Sequence, residues 1–353
     1  MEGVHEPSVS FEWTQALVQN HIKGGDLFFL ILLKDNNNIQ GIIPLVASRE
    51  KVFHIPLTTI SPISERYNTH IDFLLADADE RFAQPLIEAL FSLPYTWDLF
   101  RMTRLLEKNP VINALEKVLI DRHARFRTRF EAPSFFLNLP ASFEQYIASR
   151  SNKFRNHLRR AEKKLSKLGS IAMIKTGKDL DLDSSFSALI KIEEKSWKHK
   201  HGTAISTIRH QLSFYQKMCQ NMWEAGRLHL TFLTLNNIPV AYNLGLTGNK
   251  TYYYLKTSFV ESLRPQSPST ILRAWLIKSL IEEGISTFDF PGEPYEWETQ
   301  WTQDLRWHKS FLIYNKTRKA GFLALISRLR NLNQRHKDEK KLVYHDPFAL
   351  KSP

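Results

Sequence analysis

The sequence predicts a mixed α/β fold, α+β with a mixed sheet, built as two tandem units. Two observations lead there. One pattern occurs twice: residues 27–55 (LFFLILLKDNNNIQGIIPLVASREKVFHI) and 228–255 (LHLTFLTLNNIPVAYNLGLTGNKTYYYL) each read as apolar run, Asn-rich turn, apolar run, polar turn and apolar run. That is a three-stranded meander in which Asn and Gly supply the φ > 0 positions of the turns. Each meander is then followed by an apolar helix and a short strand carrying one acid, Trp97-Asp98-Leu99 in the first half and Phe288-Asp289-Phe290 in the second.

The elements follow in order from pattern and punctuation. In the first half, strands are expected near 27–34, 39–47, 51–56, 70–75, 97–103 and 125–131, with helices near 79–92 and 110–122. Phe135–Leu139 reads as a bridging strand, and a helix opens near Ser142 with Glu144 and Gln145 in its first turn. Phe154, Leu158, Ala161, Leu165 and Leu168 then fall at helical spacing in a basic stretch, 151–167, which Gly169 stops. The second half reads strand 170–175, helix 183–197, helix 207–224, the meander 228–257, helix 269–283, strand 286–290, a short helix near 295–302 and strand 307–314. A last helix, 320–334, carries Phe322, Leu323, Leu325, Ile326 and Leu329, and a loose polar tail follows 335. The expected units are 1–132, 133–318 and a basic helix and tail over 319–353.

Composition narrows the chemistry. The chain has 353 residues, 42% hydrophobic and 24% charged, enough for two conventional cores. No apolar run reaches the roughly 18 residues of a membrane helix. The first residues lack a basic region followed by an apolar one, so no secretion signal is expected and a cytoplasmic location is. The single cysteine, Cys219, excludes intrachain disulfides and multi-cysteine metal sites. Histidines and acids do not cluster with ligand spacing, and no metal is expected. No GxSxG elbow, Walker A loop or Rossmann glycine string occurs. Net charge is +12, concentrated at 150–167 (eight Lys/Arg against one Glu) and 316–341 (nine against two acids). Such runs suit a polyanion, a phosphate-bearing ligand or an anionic membrane surface, or simply solvate a helix face.

One segment reads as an anion site. After the strand Thr251–Leu255 come Lys256, Arg264, Gln266, Ser267, Ser269 and Thr270, and then an apolar helix. Strand, polar loop and helix N-terminus place free N–H groups and the positive dipole end at the loop. An ordinary Ser cap followed by Pro reads the same way. A second candidate is Glu193. If 183–197 is amphipathic through Phe186, Leu189, Ile190, Glu193 and Trp197, this carboxylate faces inward, where it needs a partner or its pKa rises. Tyr252, Tyr253 and Tyr254 alternate faces, so an inward Tyr is a candidate general acid.

The arrangement resembles the GNAT acyltransferase superfamily, whose pyrophosphate loop is R/Q-x-x-G-x-G/A. Arg264-x-x-Ser267-x-Ser269 has that spacing with Ser at both glycine positions. The closer resemblance is to the CelD-like, cellulose-biosynthesis-type branch related to the FemAB transferases, in which GNAT-like units are duplicated. It is carried by Lys153-Phe154-Arg155-Asn156-His157-Leu158-Arg159-Arg160, by Glu194-Lys195-Ser196-Trp197-Lys198 with Gly202-Thr203-Ala204-Ile205, by Gly226-Arg227-Leu228, by Leu255-Lys256-Thr257, and by Phe288-Asp289-Phe290 with Gly292-Glu293-Pro294-Tyr295. It covers 135–315 by motif and 11–130 by architecture. The chain departs from the branch at Ser269 (usually Gly), Val260 (usually Asp) and Glu296 (often Lys).

The resemblance implies two tandem GNAT-like units, with acyl-CoA, acetyl-CoA above all, as co-substrate of the second. Cofactor contacts fall on Val240, Tyr242, Lys256, Arg264, Gln266, Ser267, Ser269 and Thr270. A backbone N–H near Val240–Tyr242 would polarise the thioester. Glu193, Asp289 and Tyr254 are the candidate catalytic residues. Lys153, Arg155, Arg159, Arg160, Trp197, Lys198 and Tyr295 would meet an acceptor amine or hydroxyl, anionic or saccharide- or lipid-linked. Two rivals stay open. One is a Fem-like transferase using aminoacyl-tRNA. The other is a non-catalytic partner in polysaccharide or envelope biosynthesis, with peripheral membrane contact through the basic tail.

Overall fold

The structure, a computed structural model, describes residues 6–22, 24–35, 38–63, 74–75 and 80–334. The chain divides into two compact units. Unit one comprises Met1–Ser134, Gly292–Tyr295 and Leu305–Pro353; unit two comprises Phe135–Pro291 and Glu296–Asp304.

Unit one begins with helix α1 (Phe11–His21), capped by Ser10, whose hydroxyl accepts from the Trp13 N–H. The meander follows as β1 (Leu27–Asp35), β2 (Asn38–Val52) and β3 (Ile55–Pro62). Of the strand expected over 70–75 only β4 (Leu74–Leu75) lies among the described residues, and it pairs with β2. Helix α2 (Ala83–Phe91) leads to β5 (Leu99–Leu106), and Asn109 caps α3 (Pro110–Asp121). Ile31, Leu33, Ile43, Leu45 and Phe100 pack with Leu86, Leu90, Val111 and Leu115 of the two helices into one core. β6 (Arg125–Asn138) is a single strand where the sequence suggested two, because Phe130–Ser134 stays extended between them.

In unit two, α4 (Phe143–Ala148) and α5 (Asn152–Ser166) start on Ser142 and Ser151, each accepting from the N–H three residues on. Then come β7 (Ile171–Lys175), α6 (Leu182–Glu194), α7 (Trp197–Lys200), α8 (Arg209–Glu224) and the second meander, β8 (Leu228–Leu235), β9 (Ile238–Gly248) and β10 (Thr251–Phe259). Helix α9 (Pro268–Glu282) and strand β11 (Thr287–Phe290) complete the pattern. The expected helix 183–197 is broken at Ser196. Its Oγ donates to the Glu193 carbonyl and accepts from the Lys198 N–H, ending one helix and capping the next.

Both halves have the same pairing order. β1–β2 and β2–β3 are antiparallel and β3–β5 parallel; β8–β9 and β9–β10 are antiparallel and β10–β11 parallel. The fourth strand of each is flanked antiparallel by a further segment. In unit two this is Phe135–Asn138 of β6, on β11. In unit one it is β12 (Leu305–Tyr314), on β5. That pairing corrects the expected second unit, which ran on to 318. The terminal helix α10 (Arg318–Gln334) packs Ala320 and Leu323 against Leu57, Leu99 and Tyr314 of unit one. Phe322 and Leu325, expected on its apolar face, are exposed. The loose tail beyond 335 and most of the Asn36–Asn38 turn lie outside the described residues.

Turn chemistry only partly follows expectation. Asn236 and Asn237 both take positive φ, as a two-residue hairpin turn requires. The other turns place Phe53-His54 and Asn249-Lys250 in that conformation, while Gly248 does not take it. Among the described residues no helix is long and apolar enough to cross a membrane.

Candidate active site

β10 and β11 pair in parallel only from Thr251↔Thr287 to Tyr253↔Asp289, yet β10 runs on to Phe259. The strands part after Tyr253, and β10 carries a register shift between Tyr254 and Lys256 that leaves Leu255 unmatched by β9. From Tyr254 onward one edge of β10 therefore has no strand partner among the described residues, and its backbone groups need another. Past Phe259 a 3₁₀ turn, Glu261–Gln266, delivers the chain to the N-terminus of α9.

At that terminus Ser267 has φ 50° and ψ 52°, the left-handed conformation that glycine adopts without strain. A serine thus holds the backbone shape expected of the loop's first glycine. Gln266 Oε1 and Ser269 Oγ are shielded from solvent and have no hydrogen-bond partner among the described residues. Thr270 donates its N–H to the Ser267 carbonyl. Arg264 turns back on Glu261, its Nε 2.7 Å from Oε1. Lys256 is not beside this loop, as expected, but inside the unit against Glu193.

Glu193, at the end of α6, is wholly buried. Its Oε1 accepts from the Tyr242 hydroxyl at 2.6 Å and from Lys198 Nζ at 3.0 Å, with Lys256 Nζ at 3.8 Å; its Oε2 accepts from the Ile205 N–H at 2.6 Å. Burial alone would raise its pKa. Lys198, Lys256, Tyr242 and the Ile205 N–H outweigh that and hold it at about 2. Both oxygens of Glu193, expected to be catalytic, are thus engaged by donors that keep it ionised. Lys198, expected on the acceptor, instead binds Glu193 and the Thr257 carbonyl at 2.6 Å.

Of the backbone expected to polarise a thioester, Ala241 and Tyr242 are paired with β8 on one side and β10 on the other, so their N–H groups are taken up in the ladders, whereas Val240 is skipped by both and its carbonyl accepts from the Val260 N–H. Tyr254 lies on the other face of the sheet. Its hydroxyl donates to Asn243 Oδ1 at 2.9 Å and accepts from Arg273 Nη2 at 2.6 Å, and burial raises its pKa. The Arg273 guanidinium stacks 4.1 Å from the Trp297 ring and 5.0 Å from that of Trp301. This cage was missed in the sequence, since a lone Arg amid the apolar residues of α9 has no local signature. Asp289 is buried between Phe288 and Phe290 on β11. Asp98, in the other unit, accepts from the Thr58 N–H and the Thr317 hydroxyl, a structural tie.

On α5 the expected face, Phe154, Leu158, Ala161 and Leu165, is buried, while Lys153, Arg159 and Arg160 are exposed. Leu168, beyond the helix, is exposed as well. Arg155 caps α4 through the Ala148 carbonyl at 2.9 Å. Trp197 stacks edge-on with His201, and Tyr295 groups with unit one. Cys219 lines a cavity of about 700 Å³ between α6 and α8 with Asp181, Phe186 and Trp223; burial pushes its thiol to about 12, far from a nucleophile.

Residues 152–299, which span α5 to β11 with the parted strands and the α9 terminus, match the family model described as an acetyltransferase (GNAT) domain. That segment is similar in sequence to GNAT acetyltransferase domains. Solved structures share the fold across nearly the whole chain. FemX is 13% identical with a TM-score of 0.62, over 92% of this chain and 95% of that one. A conserved protein of unknown function from Bacteroides thetaiotaomicron is 12% identical with a TM-score of 0.56, over 87% and 91%. L-PGS from Bacillus licheniformis is 12% identical with a TM-score of 0.52, over 92% and 98%. At such identities the likeness is one of fold. No curated protein matches the sequence.

Proposed function

We propose that the GNAT-like domain moves an acyl group from an activated donor to an amine or hydroxyl, with acyl-CoA as the donor. The observation that carries this is the parting of β10 from β11 beside a left-handed Ser267 at the start of α9, all within the matched segment. The amide groups of the CoA pantetheine arm, laid along the open edge of β10, would satisfy backbone groups there. The diphosphate would meet the positive end of α9 and Ser269 Oγ. The thioester carbonyl would be polarised by an N–H on the open edge of β10. Placement in the CelD-like branch rests on the motif resemblance, and the acceptor is an unassigned amine or hydroxyl.

A second reading has aminoacyl-tRNA as donor. It is favoured by the exposed Lys153, Arg159 and Arg160 on α5 and by the fold shared with FemX. Equilibrium titration of the full chain with acetyl-CoA and, separately, with tRNA over a salt series distinguishes the two. Saturable acetyl-CoA binding with little salt dependence supports the first. A steep linear fall of log affinity for tRNA with log salt, and no acetyl-CoA binding, supports the second.

A further inference from the structure

Lys198 and Lys256 share a single buried carboxylate, and the sharing is unequal. Lys198 Nζ has two close acceptors, Glu193 Oε1 at 3.0 Å and the Thr257 carbonyl at 2.6 Å. Lys256 Nζ lies 3.8 Å from the same Oε1, which Tyr242 already occupies at 2.6 Å, and faces the Tyr215 ring at 5.2 Å. The side chain of Lys256 is 16% exposed and that of Glu193 not at all. Two ammonium groups on one carboxylate leave one positive charge uncompensated, and the longer contact puts that surplus on Lys256. A desolvated amine in this position loses its proton readily. Lys256 also lies on the stretch of β10 that has left β11, just past the unmatched Leu255. It is therefore beside the edge where the acyl donor would lie.

We propose that Lys256 Nζ is the proton acceptor of the acyl transfer, an inference that rests on the transferase reading above. As the acceptor nitrogen or oxygen forms its bond to the acyl carbonyl carbon, its proton passes to the Nζ lone pair. The carbon–sulfur bond breaks, or the ester carbon–oxygen bond for an aminoacyl donor. The leaving thiolate or alkoxide then takes that proton back, and Lys256 ends neutral. Glu193 and Lys198 are positioning residues that set this ionisation. The groups facing Lys256 are Glu193 of α6, Lys198 of α7, Tyr215 of α8 and Tyr242 of β9. Burial first and Lys198 second bring its pKa down to about 7, against the opposing pull of Glu193.

The test uses the full chain labelled with ¹³C at lysine Cε, with the Lys256 signal assigned from Lys256→Met. A titration midpoint near 7, moving up in Lys198→Met, is the expected result; a midpoint near the ordinary lysine value of about 10.4 overturns the role. Thiol release from acetyl-CoA with a panel of primary amines gives the kinetic arm. The wild-type rate should rise with pH through the same midpoint. Lys256→Met should lose about 100-fold in kcat and that pH limb while keeping acetyl-CoA affinity. An unchanged kcat in that variant also overturns the role. A wild-type chain that transfers no acyl group from acetyl-CoA or aminoacyl-tRNA removes the transferase reading itself, whereas a chain that transfers but titrates near 10.4 removes only Lys256.

Discussion

Glu193 and Lys256 both make stability rise with pH, in separate windows. Glu193 has its pKa lowered from 4.5 to about 2, so the folded state binds its proton less readily than the unfolded chain. Its stabilisation, about 3 kcal/mol, is fully present above pH ~5 and is lost as the pH falls toward 2. Acid unfolding monitored by circular dichroism should show this component in the wild type and lose it in Glu193→Gln. That variant should also be less stable near neutrality by about 3 kcal/mol, because two buried cations lose their counter-charge. Lys256 is lowered from 10.5 to about 7, so between those values the unfolded chain holds more protons and stability rises with pH. Lys256→Met should abolish that rise in denaturant titrations between pH 7 and 10. The inward position of Glu193 was legible from the spacing Phe186, Leu189, Ile190 and Glu193. Its partners were not, because Lys198 sits past a helix break, and Tyr242 and Lys256 lie 49 and 63 positions away on strands. The motif spacing pointed to Ser267 but could not give its φ. A left-handed Ser costs about 1 kcal/mol more than Gly. Thermal unfolding should find Ser267→Gly neutral or stabilising, and Ser267→Val, β-branched at positive φ, destabilised by about 2 kcal/mol.

At the scale of elements, periodicity located the strands and helices well, since most bury one face. The α5 face from Phe154 to Leu165 and the second meander fall where their patterns put them, while in the first meander the strand expected at 51–56 is cut by the Phe53–His54 turn and β3 runs from Ile55 to Pro62. Two kinds of feature escaped. Breaks within a continuous pattern, such as Ser196 between α6 and α7, depend on one side-chain hydrogen bond. Turns forced by strand register escaped too: Phe53 and His54 adopt positive φ although neither is a residue such turns favour. Phe53 is about half exposed, so little burial is lost on replacing it. The pair Phe53→Asn and His54→Gly should raise stability by about 1 kcal/mol in equilibrium unfolding. Loss of stability would mean that Phe53 packing outweighs the turn strain.

For the whole molecule, the repeated pairing order was legible because the two meanders share their pattern of runs and turns. The strand completing each fourth strand was not, because β12 follows the second meander in sequence yet pairs with β5 of the first unit. Charge is the other whole-chain property. The excess of +12 includes exposed Lys153, Arg159 and Arg160 beside a buried apolar face. Changing the three to Gln should leave acetyl-CoA affinity intact and, if tRNA is the donor, lower the slope of log affinity against log salt by up to about 3. The central claim, that the acyl donor docks at the start of α9, is tested most directly by calorimetric titration of CoA into the wild type and Ser269→Asp. Asp in the first turn favours the helix but repels a diphosphate. At least a tenfold loss of CoA affinity with unchanged thermal stability is predicted. Equal affinity in the two proteins, or no saturable binding by the wild type, would contradict it.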